Sequence, residues 1–238
     1  MSYLYHTLFF DPLYNLLVLL FKVLPWADAG IIVILLTIIV RLILFPLSKK
    51  AVLTQVRMGE IAPEIERIKE RYKDQPEVQA KETLALYQKK GVNPFSGIFV
   101  IIIQIPLIIA LYQTFFHLPA VDPEFLYSFM RVPKEVNTTF LGLLDLSGQS
   151  LILALGSALS SFFQMKVATI NQATPKGNTF GDNLTKSMQS QMKYLFPIIV
   201  FFISYKISGV IALYWLTTNL FSIAQDLYVS KNLKTERA

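Results

Sequence analysis

Arg41 is the residue whose position in this chain asks for a chemical explanation. It lies inside Ile31 to Leu47 (IIVILLTIIVRLILFPL), where it is the only formal charge in seventeen residues. A helix rises about 1.5 Å per residue, so this run comes close to crossing the roughly 30 Å hydrocarbon core of a bilayer. The guanidinium then sits several residues from either end. That placement costs from about 2.5 kcal/mol on insertion scales to more than about 10 kcal/mol for an isolated helix in simulation. Two arrangements relieve the cost: the side chain snorkels towards Ser48, Lys49 and Lys50, or it faces a hydrated cavity. Thr37, Arg41 and Ser48 stand four and seven residues apart and share one helix face, which favours the cavity.

Other apolar runs carry polar residues at helical spacing. Phe95 to Phe116 has Gln104 and Pro106 in its middle, where the amide needs a partner in protein or water; one interhelical hydrogen bond worth about 1 kcal/mol would suffice. In Leu151 to Ala168, Ser157, Ser160, Ser161 and Gln164 fall on one face. Close packing of small residues accounts for the serines, but Gln164 is larger than such packing needs. In Val210 to Val229, Trp215, Thr218, Asn219, Ser222 and Asp226 form one more polar face.

These residues do not point to catalysis. There is no G-x-x-x-x-G-K phosphate loop, and His6 and His117 lack an H-E-x-x-H context. No pair of intramembrane aspartates offers a protease dyad, and with Cys 0 there are no thiolate nucleophiles or disulfides. The expectation is a protein that is not an enzyme and uses no cofactor or metal.

The elements that position the polar faces follow from composition. With 53% hydrophobic residues, 16% charged residues and a mean hydropathy of +0.48, the chain reads as an all-α integral membrane protein. Five spans are predicted, at about 31–47, 95–116, 151–168, 195–207 and 210–229, within a core covering 29–238. Residues 1–28 precede them. There Asp11 and Pro12 look like a helix start, and Leu13, Leu16, Leu17, Leu20 and Leu24 recur at helical spacing, so an amphipathic helix lying at the interface is expected. A sixth span is the competing reading. No basic n-region or small-residue cleavage site is evident.

The first span is expected to end at Pro46 and Leu47. Residues 49–92 then read as a charged helical hairpin, with ten basic residues against seven acidic ones between Lys49 and Lys90. Its first helix runs from about Ala51 to Tyr72, with Pro63 as a kink. The second is started by Asp74 and Pro76 and stopped by Gly91. Ile61, Ile65, Ile68, Leu84 and Tyr87 are the apolar positions that would zip the two together. They leave little for a wider core, so a mobile paddle is expected. Asn93 and Pro94 break the hairpin. His117 to Ser147 is a long, non-basic connection with Pro119, Pro123 and Pro133, and its Asn137–Thr139 triplet carries no weight as a glycosylation signal. Thr169 to Gln191 reads as a polar, mobile loop, and Ser208 and Gly209 as a tight turn.

Charge sets the orientation. The hairpin, the Thr169 loop with its flanks (Lys166, Lys176, Lys186, Lys193) and the tail (Lys231, Lys234, Arg237) carry the basic residues, against Lys22, Arg131 and Lys134 opposite. The positive-inside rule therefore places the hairpin and tail in the cytoplasm and the N-terminus outside, in agreement with an odd number of spans. The formal net charge of +6 is thus explained without a specific nucleic-acid partner.

Five stretches in order, IIVRLILFPLSKK, the hairpin ending ALYQKKGVNPFSG, IIIQIPLIIALYQTF, FFQMK and SGVIALYWLTTNLFSIAQ, resemble the YidC/Oxa/Alb family of membrane protein insertases over nearly the whole chain. The resemblance implies a bacterial cytoplasmic (inner) membrane location and a five-span core around a hydrophilic groove, open to cytoplasm and lipid and closed towards the outside. It also implies that Arg41 is the groove arginine and that Gln164 and Trp215 line the groove. Thr37, Gln104, Ser161, Thr218 and Asn219 complete the candidate substrate-binding set. Implied partners are nascent membrane proteins, with the ribosome, the signal-recognition receptor and the Sec translocon. The chain departs from Gram-negative members in lacking their large domain before the first span, and its basic tail after Val229 is short. A small-molecule transporter or channel using Arg41 as counter-ion is the alternative, although no inverted repeat is visible. A chaperone that holds spans without translocating them is a further one.

Overall fold

A computed structural model describes residues 3–93, 96–116, 121–131, 136–170 and 180–235. His117, Pro119, Pro133, Lys134, the break at Pro94, Lys176 with the rest of 171–179 in the Thr169 loop, and Arg237 lie outside the described residues. The protein is mostly helical: α1 (Tyr3–Tyr5) passes through a π-helical turn (His6–Phe10) into α2 (Asp11–Val23). There follow α3 (Ala29–Arg71), α4 (Pro76–Lys90), α5 (Ser96–Phe116), a 3-10 turn (Pro123–Phe125), strands β1 (Thr139–Phe140) and β2 (Leu144–Asp145), α6 (Leu151–Ile170), α7 (Phe180–Ile207) and α8 (Gly209–Thr235). Among the described residues three helical runs are long and apolar enough to cross a membrane, Tyr3–Val23, Ala29–Arg71 and Leu151–Ala168, with Ile102–Phe116 a shorter apolar helix.

Several predicted boundaries move. The first span does not end at Pro46: α3 continues through Pro46 and Pro63 as one helix of 43 residues, so span and first hairpin helix belong to one element. A proline removes one backbone donor, and a helix already committed on both sides tolerates that loss. Residues 180–191 are helical rather than loop, because polar composition signals exposure to water, not absence of a helix. At the start of the chain the helix begins at Tyr3, well before Asp11, and its length meets the spanning criterion. The second hairpin helix begins at Pro76 and ends at Gly91 as predicted. Gly91 caps α4 in the left-handed region at φ 62°, where a Cβ would be strained.

The chain divides into two compact units. The first holds residues 1–44, 101–161 and 197–221. Its core runs along α2, where Phe10, Leu13, Tyr14, Leu17, Val18 and Phe21 are buried at helical spacing. It continues through Ile32, Val33 and Leu36 of α3, Leu111 and Phe115 of α5, and Leu213 of α8. Polar side chains lock the long connection onto this core. Asn15, 3% exposed, donates to the Phe125 carbonyl at 2.9 Å and accepts from the Tyr127 amide at 2.8 Å. The buried Tyr14 hydroxyl accepts from the Asp122 amide at 2.6 Å. Asp28 caps α3 by accepting from the Ile31 amide at 3.0 Å, and its second oxygen accepts from the Leu141 amide at 2.9 Å. β1 and β2 form a small antiparallel hairpin whose Phe140 ring lies over Gly30, leaving no room for a Cβ there. Gly209 at the start of α8 also approaches the Leu146 backbone, where a Cβ would fall 3.1 Å from Leu146 Cα.

The second unit holds residues 45–100, 162–196 and 222–238. Its helical hairpin is thinly packed. Ile61, Leu86 and Val92 are buried, whereas Leu84, predicted to zip the helices, is 54% exposed. The burial falls on Leu86, two residues on, which turns the contacting face of α4. A cleft lined by Ile65, Lys69, Gln79, Thr83, Leu84 and Tyr87 remains between the helices. One exposed ion pair, Lys90 to Glu64 at 2.6 Å, and a Gln79 bond to the Lys69 carbonyl at 3.1 Å tie the two.

Candidate polar groove

Within the first unit the polar faces of α3, α5, α6 and α8 resolve into two clusters of different character. The first centres on Tyr214, in the second turn of α8 and buried at 6% exposure. The side chains of Gln104 of α5 and Thr218 of α8 lie beside its hydroxyl, and the Arg41 guanidinium of α3 acts on it electrostatically. Arg41 and Gln104 are themselves only half-buried, so the charge and the amide reach the edge of the core rather than its centre. Thr218 Oγ1 is buried and, although it faces Tyr214, completes no hydrogen bond of ordinary geometry. A buried hydroxyl left in this state costs about 1–3 kcal/mol relative to a satisfied one. The cluster thus combines a cation, an amide and two hydroxyls, one of them with capacity to spare.

The second cluster is closed. Asn219, one residue beyond Thr218, donates through Nδ2 to Ser161 Oγ at 2.7 Å, to Ser160 Oγ at 3.0 Å and to the Ser157 carbonyl at 3.3 Å. Two hydrogens serve three acceptors, so one of them is shared. Ser160 and Ser161 in turn donate to the Ser157 carbonyl at 2.9 and 2.8 Å, and Ser157 Oγ reaches Ser204 Oγ of α7 at 3.1 Å. All five side chains are buried. The arrangement joins α6, α7 and α8 through satisfied hydrogen bonds, as expected where no water competes.

The remaining candidates distribute around these clusters. Thr37 is buried and spends its hydroxyl on the Val33 carbonyl of its own helix at 2.6 Å, one turn before Arg41. Trp215 is half-buried against the core. Gln164 belongs to the second unit, where it too is half-buried. The structure therefore brings Arg41, Gln104 and Thr218 around Tyr214, and Ser161 onto Asn219. Tyr214 is the residue missed by the sequence analysis. It stands four residues before Thr218 on the same face of α8, a spacing that includes it in the stripe once a buried tyrosine is counted as a polar group in search of a partner. Among the described residues no group of three or more His, Asp or Glu side chains could hold a metal ion.

Residues 20–236 match the family model described as 60Kd inner membrane protein. The chain belongs to this family, that of the YidC/Oxa/Alb insertases. It is 28% identical over 207 residues to a protein of Clostridium tetani named membrane protein insertase YidC, covering 87% of this chain and 84% of the relative. Proteins of the same name in Oceanobacillus iheyensis and Wolinella succinogenes are 29% and 30% identical, over 87% and 99% of this chain. The chain spans 77% of the former but 39% of the latter, so family membership rests on the shared core. Family and apolar helices together make this a helical membrane protein.

Proposed function

We propose that the chain is a membrane protein insertase whose groove is the Arg41–Gln104–Tyr214–Thr218 cluster, continued by Trp215. The observation that carries this reading is the combination of a half-buried guanidinium on an apolar helix with a buried hydroxyl that has no completed hydrogen bond. A visiting polar or acidic segment would satisfy the hydroxyl and pair with the cation. At an effective dielectric near 20 a contact at 4 Å is worth about 4 kcal/mol, against about 1 kcal/mol in bulk water. That difference lowers the desolvation cost of carrying the polar part of a nascent chain past hydrocarbon. The apolar part then passes sideways into lipid without nucleotide hydrolysis. In this reading Thr37, Ser161 and Asn219 stand behind the groove wall, because their polar groups are spent within the fold.

Five spans, with the N-terminus outside and hairpin and tail in the cytoplasm of a bacterial inner membrane, accompany the proposal. Lys206, in the last turn of α7, adds a fourth basic residue to the sparse outer side, and the bias still holds. Ribosome, signal-recognition receptor and Sec translocon are the partners proposed for the hairpin side. Liposomes containing only this protein provide the test. Arg41→Ala is expected to lower insertion of a single-span substrate with an acidic outer tail about tenfold or more, with Arg41→Lys retaining most of it. Equal insertion by Arg41→Ala at equal protein level would refute a required charge.

A further inference from the structure

A cavity of about 400 Å³ lies at the end of the first unit where α7 turns into α8. Tyr112, Phe115 and Phe116 of α5, Ser147 of the connection, and Lys206 and Ile207 of α7 line it, with Lys206 the only charged lining residue among the described residues. Its rim is apolar and open: Phe116 is 73% and Ile207 41% exposed, continuous with the exposed apolar faces of α5 and α7. Aromatic side chains grouped with a lysine at a helix end are the mark of a bilayer interface. We propose that this cavity binds the head group of an anionic phospholipid, with Lys206 on the phosphate and the aromatic rim on the first carbons of the acyl chains.

The local chemistry selects this occupant. The amides that open α8 are taken, Gly209 by the Gly148 carbonyl at 2.7 Å and Val210 by the Leu146 carbonyl at 3.2 Å, so the lysine supplies the charge. The Ser147 hydroxyl is committed to Asp145 Oδ1 at 2.7 Å. That carboxylate disfavours a dianionic free phosphate, and a single lysine matches a phosphodiester with no cation of its own better than it matches the zwitterionic choline head group. Assignment to the outer leaflet rests on the orientation proposed above; the site itself does not.

The experiment uses the full chain in a neutral detergent, following the thermal midpoint on titration with short-chain phosphatidylglycerol, phosphatidylcholine of the same chain length, or inorganic phosphate. Phosphatidylglycerol is expected to half-saturate at about fivefold lower concentration than phosphatidylcholine, the factor one lysine near a phosphate supplies. Inorganic phosphate is expected to leave the midpoint unchanged. Lys206→Gln should bring the ratio of the two lipids to about one, and Lys22→Gln, an exposed lysine outside the cavity, should keep it. Equal half-saturation by the two lipids, a preference surviving in Lys206→Gln, or a response to inorganic phosphate equal to that of phosphatidylglycerol would each overturn the site. Separately, Ser147→Cys should be labelled by an impermeant maleimide from outside intact cells. Labelling from the cytoplasm alone would refute the outer-leaflet assignment while leaving the binding result standing.

Discussion

Thr218 and Asn219 are neighbours on α8, yet one faces a cluster left partly open and the other a cluster that is closed. Around Asn219 the polar atoms find one another, three serines answer one amide, and all are buried. Around Thr218 a hydroxyl is left over and a guanidinium stays half-exposed. Both arrangements place polar residues on helices of a membrane protein, so polarity alone does not distinguish a groove from a joint. Completeness of the hydrogen bonding is what separates these two clusters.

Substitutions should therefore separate stability from insertion in opposite ways at the two clusters. The largest stability effect is expected at the closed one. Asn219→Ala removes the shared donor, leaves the serine hydroxyls without it and should cost about 2 kcal/mol, read as a lower thermal midpoint in detergent. Insertion per folded molecule should hardly change. Asn15→Ala comes next, at about 1–2 kcal/mol, because it frees the Phe125 carbonyl and Tyr127 amide. Faster amide exchange confined to residues 121–131 is its signature. Thr218→Val reverses the pattern: stability should stay level or rise by up to about 1 kcal/mol, since an unsatisfied hydroxyl is replaced by a methyl, while insertion of acidic-tailed substrates falls. If Thr218→Val destabilised as much as Asn219→Ala, the two clusters would not differ in kind. The smallest effect belongs to the hairpin, where Glu64→Gln breaks an exposed ion pair and should change stability by less than about 1 kcal/mol.

The sequence was most legible where a local rule operates. Pro76 and Gly91 mark the ends of α4, the serines of α6 share the face their spacing requires, and the break before Gly209 falls where predicted. Legibility failed where composition was read as conformation. The change from apolar to charged residues after Pro46 suggests an end to the first helix, but helical hydrogen bonds do not depend on which solvent surrounds them. The polar stretch from Phe180 was read as loop for the same reason. Pairs such as Asn15 with Phe125 and Tyr127 have no local signal, since each partner is ordinary in its own segment. The two-residue strands are too short for any alternation, and Leu141 at φ 51° occupies a turn position usually held by glycine or asparagine. In the site, Arg41 announced itself by charge, whereas Tyr214 was hidden among apolar neighbours whose company it keeps in every respect except its hydroxyl.

The central claim of the proposed function is that the Arg41 cluster is reachable by water from the cytoplasm. The chain has no cysteine, so Arg41→Cys introduces a single thiol that a membrane-impermeant maleimide can report from either face of sealed vesicles. The account predicts rapid labelling from the side that bears the hairpin and none from the other. A thiol that stays unlabelled from both sides, or reacts only from the opposite one, would contradict it.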